Sequence, residues 1–163
     1  MTMSRETVLA ALGPEEIGYP TVAALIGPGA IPILRDLVVD GDPVLAPKAA
    51  YLAGAITGQD RAMPAEVLEV AEVAAASPDP VVRIAGAVLA AQLGSDTAPL
   101  VLERLLDDQD PAVRKQALAT AGQFLRVPAI RERLEERADR EPVEELRETA
   151  HRFLQSESAH HSL

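Results

Sequence analysis

Three aspartates, Asp42, Asp79 and Asp110, each stand directly before a proline, and Arg83 and Arg114 follow the last two at a spacing of four. A row of carboxylates could hold a metal. A carboxylate just ahead of Pro, however, is placed to cap a helix, accepting the orphan N–H groups of the first turn. The proline then occupies the first helical position, where a missing N–H costs nothing. The i, i+4 spacing of Asp79 to Arg83 and of Asp110 to Arg114 also favours ion pairs. Glu66, Glu69 and Glu72 share one helix surface. Paired carboxylates do acid–base work only when burial or neighbours separate their pKa values, and nothing in this stretch predicts burial. Arg126, Arg131, Arg133, Arg137 and Arg140 are interleaved with Glu132, Glu135 and Glu136. Mixed signs on a helix read as surface salt bridges, not a phosphate track. The three histidines, His151, His160 and His161, all fall at the end of the chain, and there is no cysteine. A nucleophilic triad, a thiolate metal site and a glycine-rich phosphate loop therefore have no evident members. The expectation is a non-enzymatic protein with no metal or cofactor.

The elements that carry these residues repeat. Ala30 to Pro43 overlays Ala98 to Pro111 without a gap, and Pro43, Pro80 and Pro111 are separated by 37 and 31 residues. Val82-Arg83, Val113-Arg114 and Leu146-Arg147 continue the series at 31 and 33. Periods of this length indicate stacked supersecondary units, each too small to bury its own apolar face. Each unit divides into an A helix (about 30–39, 64–76, 98–107 and 128–138) and a B helix (about 43–57, 80–93, 111–125 and 142–155). Leu102, Leu105 and Leu106 follow helical spacing, as do Val113, Ala117, Ala121 and Phe124. Gly58, Gly94 and Gly122 fall near B-helix ends, where glycine can adopt a left-handed cap; a packing role serves Gly122 equally well. Ahead of the repeats, residues 4–12 and 21–26 form short helices, with Ser4 as a cap. The predicted organisation is one domain over 1–155, with an N-terminal cap over 1–27. Repeats follow near 28–60, 61–95, 96–126 and 127–155, and a disordered tail over 156–163.

The chain is 48% hydrophobic but only 2% aromatic, so its core is built from Leu, Val, Ile and Ala, which suits closely packed helices. No apolar run approaches the ~20 residues that span a bilayer, and no basic and apolar leader opens the chain. A formal charge of −10 argues against nucleic acid, whose phosphates need clustered Lys and Arg. Arginine far outnumbers lysine and alanine is plentiful, in keeping with a GC-rich bacterial genome. A cytoplasmic protein is expected.

Asp110-Pro111-x-Val113-Arg114-x-x-Ala117 and Asp79-Pro80-x-Val82-Arg83 resemble the HEAT-repeat family, in particular the short bacterial HEAT-like repeats that include phycobilisome-lyase-type members. The likeness covers about residues 28–155. It implies an all-α, right-handed α-solenoid of about four helix pairs, with B helices on the concave face and an Asp–Arg ladder between repeats. Ala46 stands where Arg83 and Arg114 align, so that ladder must stop short of the first repeat. The resemblance also implies a protein-binding scaffold; function still has to be argued from a site.

Aligning the B helices puts Val44 and Val81 in the column of Ala112, Pro47 and Ile84 in that of Lys115, and Tyr51 and Val88 in that of Ala119. The core stripe runs through Val82, Gly86 and Leu89, so these other columns should face outward. Val44, Pro47, Tyr51, Val81, Ile84 and Val88, with Lys115 at the margin, are thus the candidate partner-binding surface, unless the N-terminal cap covers them. Exposed contiguous apolar surface marks interaction sites, and Tyr is a favoured anchor. The expected function is an adaptor holding a partner helix or peptide, with homodimerisation through the same patch open. The alternative is a HEAT-type lyase or chaperone-like factor for a chromophore or cofactor, which would need a pocket. A DNA-repair scaffold would need a basic groove with aromatics, which the acidic chain lacks.

Overall fold

The computed structural model describes residues 3–59 and 64–160. Its helices alternate between two layers. One layer holds α1 (Arg5–Leu12), α3 (Ile31–Asp40), α5 (Pro64–Ala75), α7 (Ala98–Leu106) and α9 (Pro128–Arg140). The other holds α2 (Tyr19–Ile26), α4 (Leu45–Gln59), α6 (Pro80–Ala90), α8 (Pro111–Ala121) and α10 (Glu144–His160). Within each layer every helix packs on the next, and α3–α4, α5–α6, α7–α8 and α9–α10 pack as adjacent pairs. The result is an all-α stack of helix pairs. At the N-terminus α1 lies against α3 and α4, and α2 against α4.

Local chemistry explains the helix starts. Ser4 Oγ accepts the Thr7 N–H at 3.2 Å. Asp79 Oδ1 accepts from Val81 N at 2.9 Å and Asp110 Oδ1 from Ala112 N at 2.8 Å, each followed by Pro at the first helical position. Asp42 Oδ1 takes both Val44 N and Leu45 N at 2.9 Å, and these bonds hold its carboxyl below the ordinary aspartate value. The left-handed glycine is found elsewhere than expected. Among the described residues only Gly27 and Gly41 have positive φ, both 71°, with Gly41 ending α3. Gly122 is right-handed (φ −56°) and serves packing: a Cβ there would lie 2.9 Å from the Phe153 ring.

Aliphatic residues fill the space between layers. Leu34, Leu52, Leu102, Leu105, Leu106, Ile130 and Leu134 are fully buried, and small residues let helices approach closely. At Gly86 a Cβ would meet Ala74 Cβ at 3.0 Å and Ala75 N at 3.1 Å, so the α5–α6 crossing depends on its absence. One boundary is corrected. The predicted disordered tail from 156 is helical as far as His160, because Ser156 and Ser158 side chains bond back to the Phe153 and Leu154 carbonyls and α10 packs on α9. Residues 161–163 of that tail lie outside the described residues, as does the predicted start of the second repeat near 61.

Candidate interaction surface

The turns between paired helices lie along one edge of the stack, and the arginines organise them. Arg83 Nε and Nη2 donate to the two oxygens of Asp108 at 2.8 and 3.0 Å, while its Nη1 donates to the carbonyls of Ser77 and Pro78. Arg114 repeats the pattern one unit later, with Glu141 at 2.9 and 2.8 Å and the carbonyls of Asp108 and Gln109. The expected pairing of each arginine with the aspartate four residues before it is thereby overturned. Asp79 and Asp110 are spent on capping, and the forks reach across to the next turn. Asp108 and Glu141 also accept the backbone N–H two residues on, from Asp110 and Val143, so one carboxylate secures a turn and a neighbouring unit together.

Both rungs are buried: side-chain exposure is 8% for Arg83 and Asp108, and 8% and 0% for Arg114 and Glu141. Burial pushes the Glu141 carboxyl up, but the Arg114 and Val143 hydrogen bonds and the charges of Arg114 and Arg137 outweigh it and hold the group below the usual range. Arg114 is correspondingly raised by the Glu141 hydrogen bond. Bidentate, buried pairs of this kind fix register between units. The missing rung is missing on both sides. Ala46 is fully buried where the arginine would stand, and Ser77 occupies the place of Asp108 and Glu141, accepting the Asp79 N–H. Arginine and acid are absent together, which leaves no buried charge unpaired.

Without that rung, the N-terminal units are tied by different contacts. Lys48 Nζ donates to the carbonyls of Leu12 and Pro14, at 3.1 and 2.8 Å, closing the end of α1. Gln59 reaches the Pro20 carbonyl, Arg5 pairs with Asp40, and the rings of Tyr19 and Tyr51 sit 5.9 Å apart in a tilted contact. Burial raises the phenol pKa of both tyrosines, with Tyr51 adding to the shift at Tyr19.

The candidate surface residues divide on this scaffold. Val44 (60% exposed) and Val81 (51%) stand open at the starts of α4 and α6. Ile84 and Tyr51 are half-buried and pack against the core edge, and Val88 is half-buried. Pro47 is buried within α4, so its assignment to an open face is corrected. Lys115 is exposed and paired with Glu145 of α10 at 3.5 Å. The N-terminal helices therefore neither cover the patch wholly nor leave it untouched: α2 contributes Tyr19 beside Tyr51. Repeat alignment could not find Tyr19, because α2 falls outside the aligned units. Val143, 36% exposed ahead of α10, is a further apolar residue on the turn edge.

Other groups behave as surface. Glu69 pairs with Arg35, and the arginines of α9 engage Asp107, Glu136, Glu141 and Glu157. Among the described residues no His, Cys, Asp and Glu group is arranged to hold a metal, and no single helix is long and apolar enough to cross a membrane. A cleft of about 350 Å³ opens at the far ends of the B helices, lined by Thr57, Gln92, Gly94, Gln123 and Phe124.

Comparison with known protein families matches residues 67–155, more than half of the chain, to the HEAT repeats. That span contains both arginine rungs. The chain belongs to the HEAT-repeat family. No curated protein and no solved structure matches it. A HEAT stack with no metal-holding group among its described residues is consistent with a scaffold, and in this one the two halves present different surfaces. The starts of α4 and α6 are apolar, whereas α8 and α10 offer Ala112, Lys115, Glu145 and Glu148.

Proposed function

We propose that this HEAT-repeat protein is a non-enzymatic adaptor that takes a partner protein's helix or peptide on the exposed side of α2, α4 and α6. The observation that carries the reading is the open pair Val44 and Val81, one repeat apart and flanked by the half-buried Ile84, Val88, Tyr51 and Tyr19. Apolar side chains at a turn edge contribute nothing to the stack they leave, whereas their burial by a partner would contribute about 25 cal/mol per Å² of surface removed from water. Lys115 marks the polar margin. The stack itself is read as about four pairs wound right-handedly behind the N-terminal helices. The same reading places the adaptor in the cytoplasm, with neither nucleic acid nor membrane as partner; the charge of −10 supports the first exclusion.

Affinity capture from the native host tests this, with wild type beside a Val44→Glu/Val81→Glu variant. Both positions are exposed, so the variant is expected to keep its helical content and melting temperature. A protein recovered by wild type and lost with the variant supports the surface. Equal recovery by both moves the site to the other layer or the ends of the stack. A second copy as occupant would show as molar mass rising with concentration for wild type alone.

A further inference from the structure

We propose that Arg147, near the start of α10, is an open rung that takes a carboxylate from a turn of a partner protein, with the helix after that turn laid against α10. This site lies at the α10 end of the stack, apart from Val44 and Val81, and does not depend on the surface proposed there.

The three arginines of the repeat series share one anchorage. Nη1 of Arg83 donates to the carbonyl of Ser77, that of Arg114 to Asp108 and that of Arg147 to Glu141, at 3.0, 2.9 and 2.9 Å, each time six residues back. In the first two, Nε and Nη2 are thereby left for the next turn, where Asp108 and Glu141 close the fork. Arg147 is anchored in the same way. Among the described residues, however, nothing accepts from its Nε or Nη2, no carboxylate pairs with it, and it is half-buried where Arg83 and Arg114 are buried. The acids that close the two rungs follow their arginines by 25 and 27 residues. After Arg147 the only acids in the sequence are Glu148 and Glu157. Adjacent residues of a helix do not face each other, which sets Glu148 aside, and Glu157 pairs with Arg131.

The helix face behind the arginine repeats as well. Four and seven residues after it stand Ala87 and Ala90 in α6, and Leu118 and Ala121 in α8, all buried. The next unit reaches this face in both cases. Thr120 Oγ1 of α8 donates to the Ala87 carbonyl at 2.9 Å, and the Phe153 ring of α10 lies against Gly122 at the end of α8. In α10 the same two positions are His151, which is exposed, and Leu154, which is half-buried. What the next unit covers elsewhere in the stack is thus open here, guanidinium and helix face together. The two closed rungs also define the ligand. Asp108 and Glu141 each accept the N–H two residues on, so the turn that opens a helix holds the carboxylate in place for the fork. The matching partner element is an Asp or Glu in such a turn, whose bidentate bond to arginine is strong and directional, followed by a helix with an apolar side chain for Leu154.

A synthetic peptide of residues 107–121 serves as the probe, because it carries Asp108 and the helix that closes the Arg83 rung. A staple between positions 115 and 119, both exposed, forms its helix in advance. Its twin carries Asp108→Asn. Fluorescence anisotropy on the full chain is expected to show the first peptide binding at least about tenfold more tightly than the twin. Arg147→Gln and Arg147→Lys are each expected to abolish that preference, since lysine keeps the charge but not the fork. On titration the Nε–H resonance of Arg147 is expected to shift while those of Arg83 and Arg114 stay in place. Equal affinity of the two peptides, a preference that survives in either Arg147 variant, or no binding to wild type overturns the inference. So does a molar mass that rises with concentration for wild type and not for Arg147→Gln, which would seat a second copy at the rung in place of another protein.

Discussion

The two halves of this stack are held together by different chemistry. From α6 onward each unit is joined to the next by a buried arginine–carboxylate rung, Arg83 with Asp108 and Arg114 with Glu141. Around α4 the rung is replaced by Ala46 and Ser77. There the joints are a lysine on two carbonyls, a glutamine on a third and a pair of tyrosine rings. A rung has directional, bidentate geometry and sets the register of a turn. The N-terminal ties are more exposed and leave the starts of α4 and α6 apolar and open. One end of the chain is thus fixed by buried charge pairs, the other by polar ties to carbonyls and a tyrosine contact.

The largest expected effect comes from breaking a rung. Glu141→Ala leaves Arg114 buried without its partner and removes the acceptor for Val143 N. It should cost about 3–5 kcal/mol in denaturant unfolding. A loss below about 1 kcal/mol would mean the rung is no more than a surface pair. Installing the absent rung is the converse experiment. Ala46→Arg alone puts a cation at a fully buried position and should destabilise by about 3 kcal/mol. Adding Ser77→Asp should recover at least about 1 kcal/mol of that, read as the coupling in a double-mutant cycle. Purely additive costs would show that the α4 turn cannot take rung geometry. Lys48→Met, on the N-terminal side, removes two hydrogen bonds to the end of α1 and should cost about 1–2 kcal/mol. Hydrogen exchange should speed up in α1 and α2, with α8–α10 unchanged.

The smallest effect is one of pH. The Glu141 carboxyl is held below the ordinary value of 4.5, so its contribution is present in full above that value and is lost as pH falls toward its folded-state value. Wild type should therefore lose stability below about pH 4.5 more steeply than Glu141→Gln, which has no proton to take up there. Parallel acid limbs in the two proteins would assign the acid sensitivity to other carboxylates.

Much of this was legible in the residues. The Asp-Pro-x-Val-Arg phrase located the paired helices, their caps and the family, because capping and helical period are local and repeat with the unit. Ala46 marked where the ladder would stop. The candidate surface was legible only in part. Alignment picked out Val44 and Val81 as exposed but placed Pro47 beside them. A column shared between repeats does not guarantee the same neighbours, and α4, which carries Pro47, also packs against α2. The tail was misjudged for a related reason: residues 156–160 lack apolar periodicity, yet the packing of α10 on α9 carries the helix through them.

By itself, then, the sequence determined an α-helical stack of capped pairs and its period. These depend on neighbours within a turn or two of helix. Only the tertiary structure decided which carboxylate each arginine takes, that α2 brings Tyr19 to Tyr51, and which of the apolar outward columns stay open. Those are contacts between residues 25 or more apart in the chain, and their geometry is set by how one helix pair seats on the next.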